Sequence, residues 1–458
     1  MLHAIMPTRR IHHALVALLA ALTLLWLLAE PKPWPQPLTW FSFRAVFVQY
    51  SGVIAIGAMS VAMLLALRPR RLEPHLDGLD KMYRLHKWLG IAALSTSVLH
   101  WWFAKGTKWM VGWGWLERPV RGPRPAGEQR GYLEALLGSQ RGLAETVGEW
   151  VFYAAAILMI LALVRRFPYH LFARTHKWLA ATYLALVFHS VVLVKFSYWT
   201  QPVGVVLALL MAGGTVAAAL VLAGRVGARR KVRGTVVETK RYPGVDSLET
   251  VIEMAPGWPG HAAGQFAFVT VDVKDGAKDG AHPYTIASAW DPQSPRLSFI
   301  TKALGDHTRA LPELLRPGRE VTVEGPYGRF DFEDGRERQI WVGAGIGITP
   351  FVARMQQLAR RGGPRAQVDL FHATAQRDEA ALARLRADAA AAGIRLHVLV
   401  DAEDGRLDGE RIRRLVPDWA QASLWFCGPG GFGRALHADF AAQGLPARAF
   451  HQELFQMR

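Results

Sequence analysis

Arg84-Leu-His86-Lys-Trp-Leu-Gly90 and Arg174-Thr-His176-Lys-Trp-Leu-Ala180 repeat one phrase, His-Lys-Trp-Leu, and each copy opens a long apolar run. Each run then carries a second histidine: His100 in Ser-Val-Leu-His-Trp-Trp and His189 in Leu-Val-Phe-His-Ser-Val. Reading outward from these four residues decides the architecture. Six stretches approach the roughly 20 apolar residues that a bilayer crossing needs, near 11–29, 45–67, 84–104, 146–165, 174–196 and 201–224. The first follows Arg9 and Arg10 but lacks a small-residue cleavage site at Leu-Ala-Glu30-Pro, so it reads as a retained helix. Lys and Arg are denser in the segments that alternation places on the inner side, including Arg68, Arg70, Arg71 and Arg225–Arg233. That bias implies an integral multi-pass protein of a bacterial inner membrane, with both termini cytoplasmic.

Alternating spans make the third and fifth helices run in the same direction. His86 then stands level with His176, and His100 with His189. Steps of 14 and 13 residues cover about 20 Å of helix. A lone histidine at a helix mouth commonly rests at the interface, whereas an ionisable side chain within a span is costly and marks function. Two facing imidazoles at one depth supply both axial ligands of a haem iron, and two such levels hold two stacked haems. One feature resists: at 100° per residue the 13-residue step leaves His176 and His189 about 140° apart on an ideal helix.

The chain has 458 residues, enough for two or three domains, and is 51% hydrophobic with a formal net charge of +17. The basic residues lie beside apolar runs, which suits an anionic lipid surface better than nucleic acid. Its one cysteine, Cys427, excludes an intrachain disulfide, a zinc site of cysteines and an iron–sulfur cluster. From Arg225–Arg233 onward the composition becomes that of a soluble protein. Three domains are expected: a six-helix transmembrane bundle over 1–224, an antiparallel β-barrel over 230–335, and an α/β Rossmann-like domain over 336–458.

Val232–Glu238, Gln265–Val271 and Glu320–Glu324 alternate as antiparallel strands. Between such strands lies His282-Pro283-Tyr284-Thr285-Ile-Ala-Ser288, whose ring can flank a flat heterocycle while Thr285 offers a hydroxyl to a flavin edge. Lys302, Gly305 and Thr308 then form a strand end, a turn and a helix start, a setting that favours a pyrophosphate. Gly343-Ala-Gly345-Ile-Gly347-Ile-Thr349-Pro350 follows a short β run and opens a helix, as a dinucleotide turn does. Strands over 367–373, 395–400 and 423–427 complete a parallel sheet, and the last ends at Cys427-Gly428-Pro429. A lone buried cysteine is usually a small packing residue.

His282-Pro-Tyr-Thr-Ile-Ala-Ser, Gly343-Ala-Gly-Ile-Gly-Ile-Thr-Pro and Cys427-Gly-Pro together resemble the ferredoxin–NADP reductase-type flavin module. Joined to the spans and histidine pairs, the chain resembles the ferric reductase/NADPH oxidase superfamily over roughly residues 40–458. The resemblance implies FAD, NAD(P)H with NADPH preferred, and two b-type haems. It assigns His86, His100, His176 and His189 to iron. It assigns His282, Pro283, Tyr284, Thr285, Ser288, Lys302, Gly305 and Thr308 to flavin. Gly343, Gly345, Gly347, Thr349 and Pro350 would hold the nucleotide, with Arg377 at the 2′-phosphate of NADPH. Cys427 and Gly428 would lie near the nicotinamide, and Phe455 would cover the flavin as an aromatic residue near the chain end does in that family. The implied activity is an NAD(P)H-dependent transmembrane oxidoreductase delivering electrons to an acceptor beyond the membrane. Ferric-chelate or general acceptor reduction is preferred over superoxide formation from dioxygen, and a partner redox protein is a further acceptor. A haem-free six-span binding or sensor protein with a flavin-reductase-like domain is the reading of another class.

Overall fold

A computed structural model describes residues 9–117, 131–164, 166–272 and 280–453. They fall into two compact units, one formed by the chain up to 69 together with 81–226, the other by 70–80 together with the chain from 227 onward.

The first unit is helical. Its long elements are α1 (Arg9–Ala29), α2 (Trp40–Ala66), α3 (Leu79–Trp101), α4 (Arg141–Leu163), α5 (Tyr169–Lys177), α6 (Leu179–Leu193) and α7 (Pro202–Leu222). Among the described residues five segments are long and apolar enough to cross a membrane: α1 from Arg10, α2, α4, Leu171–Leu193 and α7. The expected sixth, α3, forms as a helix of 23 residues but falls short in hydropathy. Asp80, Lys81, Arg84 and Lys87 occupy its first turns, and Ser95, Thr96, Ser97 and the two histidines dilute the rest. Small residues let these helices approach closely. A Cβ on Gly214 of α7 would stand 2.1 Å from the Tyr183 hydroxyl, which hydrogen-bonds Ser60 Oγ at 2.8 Å. Trp26, Val53, Ile56, Tyr183 and Leu207 form the centre of this packing.

The second unit begins with an antiparallel sheet of β1 (Lys231–Tyr242), β2 (Ser247–Met254), β3 (Phe266–Val271), β4 (His282–Thr285), β5 (Arg296–Lys302) and β6 (Glu320–Tyr327), with α8 (Asp306–Leu314) between β5 and β6. The order is β4-β3-β6-β1-β2-β5. The expected closed barrel is replaced by a six-stranded sheet whose edge strands β4 and β5 are joined at the Ile286–Phe299 bridge. Four residues of β4 are too few for a full closing ladder. Alternate residues of each strand, among them Val236, Ile252, Val269, Leu297 and Val321, fill its core.

The chain continues as a parallel sheet of β7 (Arg338–Ala344), β8 (Gln367–Thr374), β9 (Arg395–Val400), β10 (Ser423–Cys427) and β11 (Phe450–Gln452). The helices that alternate with them include α9 (Thr349–Arg360), α10 (Glu379–Ala391) and α11 (Gly430–Ala442). The order β11-β10-β7-β8-β9 reverses direction between β7 and β10, which makes their carboxyl ends the topological switch point. Both faces are covered: Phe351, Leu370 and Trp425 pack on one, and Ile340, Phe371, Phe426 and Phe440 on the other.

Residues 70–80 lie between transmembrane helices in sequence yet fold with this second unit. Glu73 is buried there and accepts a hydrogen bond from the Gly328 N–H at 3.1 Å. Burial pushes its carboxyl above the usual carboxylate range.

Candidate functional site

The four helical histidines meet in the expected pairs. His86 and His176 have ring centroids 5.9 Å apart, and His100 and His189 6.3 Å. An iron with an imidazole nitrogen about 2 Å away on each side sets the centroids roughly 6 Å apart, so both spacings suit one metal between two rings. Tautomer agrees with spacing. His86 Nδ1 donates to the Ala62 carbonyl at 2.9 Å, and His189 Nδ1 to the Ala144 carbonyl at 2.8 Å. His100 Nδ1 bonds Ser51 Oγ at 3.1 Å, and because the Ser51 hydroxyl donates to the Phe47 carbonyl at 2.7 Å, the imidazole is the donor. With the proton fixed on Nδ1, Nε2 of each of these three rings is a lone-pair ligand. Among the described residues no group of three or more His, Cys, Asp or Glu gathers that could hold a metal ion, and the helical histidines come in twos.

The 13-residue step is accommodated by a break. Helix α5 ends at Lys177, Trp178 has ψ −18°, and α6 starts at Leu179. Hydrogen bonds from Trp178 N to Thr175 O and from Ala181 N to Trp178 O, both 3.0 Å, tighten the junction to a 3₁₀ winding. Tighter winding advances the phase faster than 100° per residue, which turns His189 toward His100.

The second pair borders a cavity of about 240 Å³ lined also by Arg44, Trp101, Lys105, Arg141, Glu145 and Glu149. Lys105 pairs with Glu149, which also accepts from Tyr153 Oη at 3.1 Å, and Tyr153 Oη in turn accepts from Trp101 Nε1 at 3.2 Å. Trp101 thus belongs to the cavity wall, whereas Trp113 and Trp115 are exposed in the manner of an interfacial belt. A Cβ on Gly148 would fall 2.0 Å from His189 Nδ1, so only glycine leaves room for that ring.

In the second unit, His282, Pro283, Tyr284 and Thr285 form the edge strand β4. His282 stacks on His307 at 3.5 Å, and Tyr284 Oη shares a 2.8 Å hydrogen bond with His307 Nε2. Thr285 is buried, and its Oγ1 has no hydrogen-bond partner among the described residues, which is the condition of a donor waiting for a ligand edge. Ser288 is fixed at both ends: its Oγ accepts from Ser298 N at 3.0 Å, and its carbonyl accepts from His261 Nε2 at 2.9 Å. Burial lowers the His261 pKa to about 4, so that ring is neutral. Thr308 uses its hydroxyl locally, accepting from the N–H groups of Leu304 and Gly305 to cap α8. Lys302 lies instead on a cavity of about 80 Å³ shared with Gly345, Ile348, His372 and Thr374. His261 lies in no segment that the sequence singles out, and His307 and His372 lie within the read segments 302–308 and 367–373, where nothing marks the histidine itself. His372 donates from Nδ1 to the Gly343 carbonyl at 3.0 Å and so braces the glycine turn from the next strand.

Gly345 adopts φ +56°, and a Cβ on Gly347 would stand 2.1 Å from the Cys427 carbonyl, so the turns after β7 and β10 touch at the switch point. Thr349 Oγ1 donates to the Ile346 carbonyl at 2.7 Å, and Pro350 stands in the first turn of α9. The Cys427 thiol is fully buried 4.0 Å from Glu453 Oε2; burial, aided by that carboxylate, raises its pKa well above the ordinary value. The thiol is therefore protonated, and no thiolate chemistry belongs to it. Gly428 continues this turn. Arg377 is held between Glu379 and Glu403. Phe455 lies outside the described residues.

Residues 51–187 match the family described as the ferric reductase like transmembrane component. The chain is 31% identical over 243 residues to the NADPH oxidoreductase of Mycobacterium tuberculosis, covering 51% of this chain and 62% of that protein. It is 28% identical over 214 residues to the flavohemoprotein of Deinococcus radiodurans, covering 43% and 52%. To the vanillate O-demethylase oxidoreductase of a Pseudomonas strain it is 30% identical over 149 residues, covering 32% and 45%. The chain thus spans about half the length of the curated relatives it matches. Among solved structures, the FAD/NAD-binding domain of nitric oxide dioxygenase from Vibrio cholerae aligns with a TM-score of 0.43 and 21% identity, covering 49% of this chain and 98% of that one.

Proposed function

From a chain that joins a ferric reductase-like transmembrane component to a flavin- and nicotinamide-binding reductase module, we propose an oxidoreductase that carries electrons from NAD(P)H across a membrane to an acceptor on the far side. In this reading residues 1–224 cross the membrane six times, α3 included, with both termini cytoplasmic. Residues 230–335 hold FAD and 336–458 the nucleotide. FAD, when bound, converts the hydride of NAD(P)H into single electrons, and two b-type haems relay them one at a time.

The chain's own residues supply the geometry. His86 and His176 would hold the inner iron and His100 and His189 the outer one, about 20 Å further along the helix. A span that carries functional ionisable residues is less apolar than its neighbours, which is how α3 would cross despite its weak hydropathy. Thr285 donates its free hydroxyl to the flavin edge, and Ser288 is kept in place by Ser298 and His261. Gly345 and Gly347 let the dinucleotide backbone approach the switch point, and the amide end of α9 faces its phosphates. Lys302 adds a positive charge beside that turn. The turn Cys427–Gly428 would lie near the nicotinamide, with the buried, neutral Cys427 thiol packed beneath it, and the family resemblance assigns Phe455, outside the described residues, to the flavin. The acceptor is a ferric chelate or comparable small oxidant meeting the outer pair through the cavity that holds Arg44, Lys105 and Arg141.

The observation that carries this reading is the set of Nδ1 hydrogen bonds at His86, His100 and His189, which presents Nε2 toward a ring-to-ring gap of metal-ligand size. A dithionite-reduced minus oxidised spectrum of the purified protein, with a pyridine haemochrome assay, tests it. Two b-type haems per chain are expected. A preparation that binds flavin but shows no b-type band would leave the haem-free binding or sensor class standing.

A further inference from the structure

The carboxyl edge of the parallel sheet carries an arginine whose surroundings are those of a phosphate excluder. The ends of β7, β8 and β9 lie in register, Ala344 opposite Ala373 and Thr374 opposite Val400. The glycine turn follows β7, residues 375–378 follow β8, and the short helix Asp401–Asp404 follows β9. In a doubly wound sheet of this order the pyrophosphate meets the first turn, and the adenosine ribose meets the residues after the second strand. An acidic side chain there accepts from the ribose 2′-hydroxyl, and an arginine there receives a 2′-phosphate.

Arg377 occupies that second position, and two of its five N–H donors are already committed to carboxylates. Nε donates to Glu379 Oε1 at 2.5 Å and Nη1 to Glu403 Oε2 at 2.6 Å. Glu379 comes from the start of α10 and Glu403 from the helix after β9, so the clasp bridges the ends of two strands. Asp378 between them is committed elsewhere: one oxygen caps Ala381 N and the other accepts from Gly244 N, both at 2.9 Å. Around Arg377 itself, two carboxylates face one guanidinium. Arg386, 3.9 Å from the other oxygen of Glu379, lies on the far side of that carboxylate from Arg377.

We infer that this site selects NADH over NADPH, with Glu379 and Glu403 as the specificity-determining residues. The inference rests on the proposed assignment of residues 336–458 to the nucleotide. A 2′-phosphate brings roughly −1.5 to −2 charge. To reach the remaining donors of Arg377 it must stand beside both carboxylates. A 2′-hydroxyl needs only an acceptor, and each carboxylate keeps lone pairs free after pairing with Arg377. The same arginine read without its partners points to NADPH; read with them it points the other way.

Calorimetric titration of the full-length, detergent-solubilised protein with 5′-AMP and with adenosine 2′,5′-bisphosphate tests this directly. The wild type is expected to bind 5′-AMP more tightly by about tenfold or more. In the E379Q/E403Q double variant the ratio moves toward the bisphosphate by about tenfold, with the ratio of NADH to NADPH Michaelis constants moving the same way. Both glutamates are well exposed, so the fold tolerates the change. A wild type that prefers the bisphosphate, or a double variant with an unchanged ratio, overturns the inference while leaving the nucleotide site intact. If neither fragment binds and neither nucleotide reduces the flavin, the nucleotide assignment falls and the inference with it.

Discussion

His86 and His176 share one phrase of sequence while His100 and His189 do not, and the two pairs sit in different surroundings. At the His86–His176 pair, Nδ1 of His86 is tied to a backbone carbonyl, and His176 is stacked on Phe172 at 4.9 Å. At the His100–His189 pair, one Nδ1 is tied to a side chain, Ser51, and the rings border a cavity lined by charged groups. The hydroxyl partner of His100 can be removed by substitution, whereas His86 and His189 both bond backbone carbonyls, which substitution leaves in place. The comparison teaches that equivalent ligands become inequivalent through what surrounds them.

The most severe way to test it is to delete ligands. His86→Ala and His100→Ala are each expected to cut haem content from two per chain to one. His100→Ala should also lower reduction of a membrane-impermeant ferric chelate by about 100-fold or more while NADH still reduces the flavin. Equal loss of flavin reduction in both variants would break the proposed order of the pairs. Next in size, Gly148→Ala places a methyl where His189 Nδ1 stands and should reduce outer-haem retention by about 10–100-fold. Gly52→Ala, whose Cβ would meet His100 Cε1 at 3.5 Å in ordinary contact, should retain both haems. Haem-to-protein ratios after size exclusion distinguish the two. A milder change, Ser51→Ala, takes the Nδ1 partner from His100 alone and should shift the midpoint potential of one haem only, read by redox titration; shifts in both would mean that the pairs are not independently tuned.

Away from the membrane the effects are smaller. Thr285→Val keeps the shape of β4 but loses the unpaired hydroxyl, and should weaken FAD binding by about 1 kcal/mol, measured by flavin fluorescence on dilution. The neutral His261 ring gives the smallest effect. Its folded pKa of about 4 lies below the ordinary 6.5, so the unfolded chain binds the extra proton between those values. Stability from this group is therefore complete above about pH 6.5 and lost as pH falls toward 4. Glu73, raised by burial, works in the opposite sense, favouring the folded state at the acidic side of its shifted titration. Replacing His261 with Asn isolates its share: the flavin-release midpoint of the variant should depend less on pH over that window than the wild type's.

Much of this was readable from the chain because local rules act within short windows. The apolar runs of α1, α2, α4 and α7, the glycine turn after β7 and the alternation of β1, β3 and β6 all declare themselves over a few residues. Reading failed where a segment's character depends on neighbours. Helix α3 was expected to be as apolar as the rest, but a helix flanked by others tolerates polar residues on its inner face. Four-residue β4 could not disclose that the two edge strands meet only at the Ile286–Phe299 bridge, since closure depends on pairing between distant edges. Nothing in Arg70–Asp80 announces that this stretch folds with the second unit; its anchor is one buried glutamate meeting a backbone amide 255 residues away. Arg377 is the sharpest case, because its type suggested a phosphate and its partners argue against one.

Sequence by itself determined that there are spans, a flavin-type strand set and a nucleotide turn, and it placed four histidines at matched depths. Hydrophobicity, strand alternation and glycine permissiveness are properties of residue type and spacing, so they survive without the fold. Only the tertiary structure decided which imidazole nitrogen carries the proton, where the chain tightens at Trp178 between His176 and His189, and which carboxylates meet Arg377. Those outcomes depend on hydrogen-bond partners and charges brought together from distant segments, and no local window contains both members of such a pair.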